Sequence, residues 1–289
     1  MRSVLLVSML ACVVPATVRG GDLGRAKDEV RKDDDPPDDD DGKRGGREGR
    51  RRGDHGRDHD DGDHEHGRDD GESDIGGTFA LLVLGSPFWV PHLAVGDDFA
   101  VPHAFAVYPY QGGVKGLVLR GEEAGGRALA AGWLGVTGGW RPGDLWTGKV
   151  DAQLLTSSRF GAATTWYHFV EPQAQGPADT LTAGDVQVTL RFAQNERVSF
   201  WTGLGARFMP DEQLHAGFII AYGVDVFPVD PITLSARVDA GSLGHAGVGG
   251  VSLRAGVLLG PVDFGVGWDL LAIGDVSLTA LTAGVRLWL

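Results

Sequence analysis

From about residue 127 to the end, the chain alternates apolar and polar side chains in short runs that never settle into a helical period. A period of two puts successive side chains on opposite faces of a strand, so each run predicts a β-strand with one face buried. Ten such strands are expected, at 127–139, 145–156, 160–170, 183–193, 197–208, 213–227, 232–240, 248–259, 261–269 and 277–288. The connections Ala193-Gln194-Asn195-Glu196, Met209-Pro210-Asp211-Glu212 and Pro228-Val229-Asp230-Pro231 are short and polar or proline-bearing, as hairpin turns require. The expected fold is all-β, an antiparallel up-and-down barrel over 127–289. Phe79 to Leu84 and Val114 to Leu119 have the composition of two further strands, which would make twelve. The proline-punctuated stretches in 77–126 fit an extended segment or a plug equally well.

Alternation alone does not separate a soluble sandwich from a membrane barrel, so the content of the two faces decides. One parity carries Val150, Leu154, Trp166, Val186, Val188, Leu204, Ile220, Leu253, Val266, Leu281 and their neighbours, with no charged residue among them. The other carries Lys149, Asp151, Arg159, Asp185, Arg191, Arg207, Asp225, Arg237, Asp239, Arg254, Asp263, Asp269 and Arg286, interleaved with many glycines. Glycine weakens a solvated strand but suits the wall of a narrow lumen, which favours the membrane barrel. Trp140, Trp146, Trp166, Trp268 and Trp288 lie near strand ends, where interfacial aromatic girdles belong.

No stretch reaches 18 consecutive apolar residues, so any membrane insertion has to be as a closed barrel. A barrel of about ten strands is only slightly wider than its side chains can fill. Inward charges must then pair, and an ion-pair network is expected among Asp151, Asp185, Arg191, Arg207, Asp225, Arg237, Asp239, Arg254 and Arg286, either as structural filler or as a gate.

Residues 21–76 read differently. Nearly all are Asp, Glu, Arg, Lys, His, Gly or Pro, and they hold 21 of the 39 acidic residues and no aromatic. Such a segment cannot bury enough apolar surface to offset its chain entropy, so a disordered charged tail is expected. Ahead of it, Met1-Arg2-Ser3 and the apolar run Val4 to Val14, then Pro15 and small residues up to Gly20, have the form of a secretory signal peptide over 1–20. Cys12 is the sole cysteine, so no intramolecular disulfide can form, and lipidation at Cys12 is the alternative reading of this leader.

The final run, Ser277-Leu278-Thr279-Ala280-Leu281-Thr282-Ala283-Gly284-Val285-Arg286-Leu287-Trp288-Leu289, resembles the closing strand of bacterial outer-membrane β-barrel proteins. Arg191 to Val198 and Gly203 to Arg207 are similar to hairpins of uncharacterised, porin-like bacterial envelope proteins. The resemblance implies recognition by the barrel assembly machinery, outer-membrane lipid as a partner and a cell outer-membrane location. It carries no activity, since fold analogy does not supply function. The expected role is structural or that of a small-solute pore. The alternative is a soluble or surface-attached envelope β-domain, periplasmic or external, binding cell-wall polymer or cations through its tail.

Candidate chemistry is thin. His55, His59, His64 and His66 lie among carboxylates and could bind divalent cations weakly, although no fixed tetrahedral set can be drawn from them. His168 and His215 are the strand histidines, but no nucleophile and base assemble around either, so no enzyme and no cofactor are expected. Gly203-Leu204-Gly205 lies in a strand rather than before a helix, which excludes a phosphate-cradling loop. An acidic domain with no basic stripe excludes nucleic acid.

Overall fold

Strands dominate the computed structural model, which describes residues 21–31, 90–97, 103–120, 128–141 and 145–289. All of these fall in one of the chain's two units, the one made of residues 1–32 and 88–289. In chain order the elements are α1 (Asp22–Arg31), β1 (His103–Phe105), β2 (Val118–Arg120), β3 (Ala130–Arg141), β4 (Leu145–Thr156), β5 (Phe160–Glu171) and β6 (Asp179–Gln194). There follow β7 (Val198–Pro210), β8 (Leu214–Val226), β9 (Ile232–Leu243), β10 (Ala246–Leu259), β11 (Val262–Ile273) and β12 (Val276–Trp288).

Strands β3 to β12 form a closed ten-stranded barrel in which each strand pairs antiparallel with its sequence neighbours. Closure is made by β12 against β3, with Val285 opposite Val136 and Leu287 opposite Leu134. Reciprocal backbone bonds between Gly132 and Leu289 finish the seam. All ten strands expected from the alternation are present, with ends displaced by at most four residues. Ten is the barrel count; β1 and β2 form a separate two-stranded sheet and do not enter the wall. Residues 79–84 lie outside the described residues, and the expected strand at 114–119 is represented by β2.

The parity reading holds around the wall. Val188, Leu204, Val266 and Leu281 are each about two-thirds exposed on the outside, while Asp185, Gln187, Arg207 and Asp263 on the opposite parity are 3% exposed or less. Outward hydroxyls are bonded within the sheet: Thr164 donates to the Asp185 carbonyl at 2.6 Å and Thr202 to the Ala221 carbonyl at 3.0 Å. The Trp166 indole N–H donates to Thr164 Oγ1 at 3.0 Å, and its ring lies over Gly184, directly across on β6, where a Cβ would collide with it.

Two expectations are corrected. The first eleven residues of the expected disordered tail are ordered: Gly21 leads into α1, whose Leu23, Ala26 and Val30 are fully buried against the barrel. The rest of 32–76, including His55, His59, His64 and His66, lies outside the described residues. Trp288 does not join an outer girdle. It falls on the inward parity of β12, is 5% exposed, and packs edge-on against Phe227.

Candidate functional site: a filled lumen

The lumen is built in three layers along the barrel axis. We call distal the mouth at which β3, β5, β7, β9 and β11 end, and proximal the mouth that holds Leu289. The distal layer is apolar: Leu145, Phe169, Leu181, Met209, Leu243, Leu271, Ile273 and Leu278 enclose Leu23, Ala26 and Val30 of α1. These three lie at helical spacing on one stripe, so a short helix too polar to fold alone is held by its packing.

Polar contacts fix that helix at its rim. Glu171 at the end of β5 accepts from the Gly21 N–H at 2.9 Å and the Leu23 N–H at 3.2 Å, satisfying donors that a helix start leaves free. Arg141 reaches Asp22 at 3.0 Å, Lys27 pairs with Asp179 at 2.7 Å, and Arg31 pairs with Asp211.

The middle layer is charged. Arg237 contacts Asp185 at 2.9 Å and Asp239 at 3.2 Å, and Arg207 contacts Asp239 at 2.5 Å and Asp185 at 3.9 Å, so two cations and two carboxylates close a four-membered cluster. Arg286 on β12 reaches Asp151 on β4 at 3.3 Å, and Lys149 on β4 reaches Asp269 on β11 at 2.7 Å. Arg254 and Asp263 pair at 2.6 Å between adjacent strands. Several of these pairs join strands that do not neighbour each other in the sheet, so the bridges cross the lumen.

Of the nine residues expected in the network, Asp151, Asp185, Arg207, Arg237, Asp239, Arg254 and Arg286 make such pairs. Asp225 instead accepts from the Ser235 hydroxyl and the Trp201 indole. Arg191 stacks its guanidinium over the Phe105 ring, 5.3 Å from the centroid. Lys149, Asp263 and Asp269 belong to the network although only their inward parity, not their pairing, is readable beforehand.

The inward glycines have a steric reason. A Cβ at Gly135 would press on the Asp151 carboxylate, at Gly265 on the Arg254 guanidinium, and at Gly223 on the Trp201 ring. Their bare backbone is the space into which a neighbour's carboxylate, guanidinium or indole ring folds. Among Lys149, Asp151, Tyr167, Arg237, Arg254 and Arg286 lies a cavity of about 60 Å³, room for a few waters.

The proximal layer is apolar again. Phe105, Tyr110, Leu117 and Val118, from the β1–β2 segment, pack on Ala131, Leu155, Phe227, Leu258 and Trp288. Tyr110 donates its hydroxyl to the Ile232 carbonyl at 2.6 Å, and burial pushes its pKa up to about 12, with the Asp230 charge acting in the same direction. Beside it, Asp97 after a helical turn at 90–95 takes a bidentate contact from Arg159 at 2.6 and 2.9 Å and accepts from the Gln194 N–H. Of the segment 77–126, residues 103–120 pack their buried side chains on the proximal end of the barrel, and we call them the plug below.

No metal-holding group of His, Cys, Asp or Glu occurs among the described residues. His168 faces outward on β5, 2.9 Å from the Thr182 hydroxyl, and His215 is on β8, two strands beyond β6, so the strand histidines do not meet.

No family model matches this sequence, and no curated protein does. Among solved structures the chain is similar to the Yersinia pestis outer membrane protein Ail in a phospholipid bilayer nanodisc, at 10% identity over 55% of this chain and 98% of that one, with a TM-score of 0.32. A crystal structure of Ail, the attachment invasion locus protein of Yersinia pestis, gives 12% identity over 55% and 96%, with a TM-score of 0.27. CdiB from Acinetobacter baumannii gives 10% identity over 61% of this chain and 45% of that one, also at 0.27.

Proposed function

We propose that this chain is a structural, non-conducting β-barrel of the bacterial outer membrane. The observation that carries the reading is the outer wall: large apolar side chains stand exposed on all ten strands, no charge interrupts them, and Thr164, Thr202 and Trp166 are hydrogen-bonded within the sheet. In water so continuous an apolar surface is a liability; in lipid it is the requirement. Lumen charges paired across the barrel, with apolar layers at both ends, support a filler rather than a pore. Lipid and the barrel assembly machinery are then its partners.

The wall is tested by comparing Val188→Arg with Val229→Arg. Both residues are more than 60% exposed, but Val188 is mid-wall on β6 and Val229 is in the turn before β9. A charge in mid-wall facing lipid costs about 2 to 4 kcal/mol. Val188→Arg should impair insertion into liposomes while Val229→Arg leaves it intact; equal tolerance removes the membrane assignment. The filler is tested with Arg237→Ala, which leaves Asp185 and Asp239 short of a cation and should cost about 3 to 5 kcal/mol in urea unfolding. Conductance of the unaltered protein in planar bilayers would show a pore instead.

A further inference from the structure

Glu171 at the distal rim has partners that do not match its charge. Asp22 has Arg25 and Arg141, Asp179 has Lys27, and Asp211 has Arg31. Glu171, 5% exposed, has no ion pair among the described residues; both its oxygens are aimed at backbone nitrogens, those of Gly21 and Leu23. A carboxylate withdrawn from water in this way is costly unless a cation meets it. The nitrogen closest to it, at 2.9 Å, belongs to the residue that follows the small-residue stretch ending at Gly20, the point where the leader's pattern calls for cleavage.

We propose that the chain is cut between Gly20 and Gly21, and that the α-ammonium so created is the cation of Glu171, seating α1 in the distal mouth. An endopeptidase of the export route adds water across the Gly20–Gly21 amide. Gly20 leaves as a carboxylate, and the Gly21 amine takes up a proton below pH about 8. As a peptide nitrogen Gly21 offers Glu171 one N–H; as an ammonium it offers a full charge and three donors. Gly21 is itself exposed, and nothing lies within 4 Å of the position its Cβ would occupy, so the remaining N–H groups have solvent to face. That charge adds to the positive end of the helix, and Asp22 and Glu171 are the carboxylates placed to offset both. This inference depends on export and not on the barrel's spanning a membrane.

The exported full-length protein is first subjected to intact mass measurement and N-terminal sequencing. Gly21 as first residue is expected; any other terminus overturns the proposal. Docking is then read from the rate at which trypsin nicks the processed, folded protein after Arg25 and Lys27. Glu171→Gln should raise that rate about tenfold at pH 7. Cyanate treatment near neutral pH, which carbamylates the α-amine selectively and removes its charge, should raise it to the same extent in the unaltered protein and have no effect in Glu171→Gln. The unaltered protein should also become Gln-like as pH rises above about 8, while the variant keeps a flat profile. Nicking that responds to Glu171→Gln but to neither cyanate nor pH would make Glu171 an acceptor of peptide N–H groups only, and the ammonium would have to be abandoned.

Discussion

The two mouths of this barrel are both closed by the chain itself, but by a different balance of contacts. The proximal plug is held chiefly by hydrogen bonds to backbone and by aromatic packing: Phe105 and Ala128 form a β-bridge just ahead of β3, the Tyr110 hydroxyl bonds a wall carbonyl, and Phe105, Phe227 and Trp288 share one cluster. Charge enters there through the exposed Lys115–Glu196 pair and, from the segment ahead of the plug, through Asp97–Arg159. The distal helix buries three small or medium apolar side chains and is otherwise held by side-chain charges on β3, β5, β6 and the turn after β7, residues more than a hundred positions away. Backbone and aromatic contacts make a closure that is part of the fold. Charge contacts at a rim make one that can be detached.

The largest effect expected from this contrast is on the proximal side. Phe105→Ala removes a fully buried ring from the cluster and should lower the unfolding free energy by about 3 to 5 kcal/mol in a denaturant melt, together with the barrel. A loss under about 1 kcal/mol would mean the plug is as loosely held as the helix. On the distal side, Leu23→Asp should free α1 for trypsin with the barrel's melting midpoint unchanged, because local opening there does not require global unfolding. A matching fall in the midpoint would make α1 part of the core.

Alkaline titration sharpens the same comparison. Tyr110 holds its proton more tightly in the folded state, so its contribution is complete below pH about 10 and is lost as pH climbs toward about 12. Followed by proteolysis at Lys115, the proximal plug should stay protected through pH 9 and yield above 10; protection lost already at pH 8 would show that Tyr110 does not govern it. Salt should have the smallest effect. Between 0.15 and 1 M the screening length shortens from about 8 to about 3 Å, and the pairs Lys27–Asp179 and Arg31–Asp211 should weaken, raising distal nicking a few-fold, while the proximal plug, whose exposed Lys115–Glu196 pair adds little to its packing, changes less. Equal responses would erase the distinction.

The wall was the legible part of the fold because a period of two, sustained over ten runs, specifies both strand and facing. What it could not specify was pairing inside the lumen. Arg237 meets Asp185 from three strands away around the barrel, and Lys149 meets Asp269 likewise, and those meetings depend on registers that alternation leaves open. Asp225 and Arg191 show the same limit: their inward facing is readable, their partners Trp201 and Phe105 are not. α1 was hidden by its own charge, although Leu23, Ala26 and Val30 at three- and four-residue spacing carry a helical signal that the surrounding Asp, Glu, Arg and Lys drown. The plug strands are three residues each, too short for any period to register.

The cross-lumen pairs have a consequence for how the ring can deform. Lys149 on β4 holds Asp269 on β11, and Arg237 on β9 holds Asp185 on β6, so each tether spans an arc of four strands, β11-β12-β3-β4 and β6-β7-β8-β9. The two arcs share no strand, and β5 and β10 lie between them. Any flattening of the cross-section is therefore directed: two braced arcs keep their curvature, and the ring bends at β5 and β10.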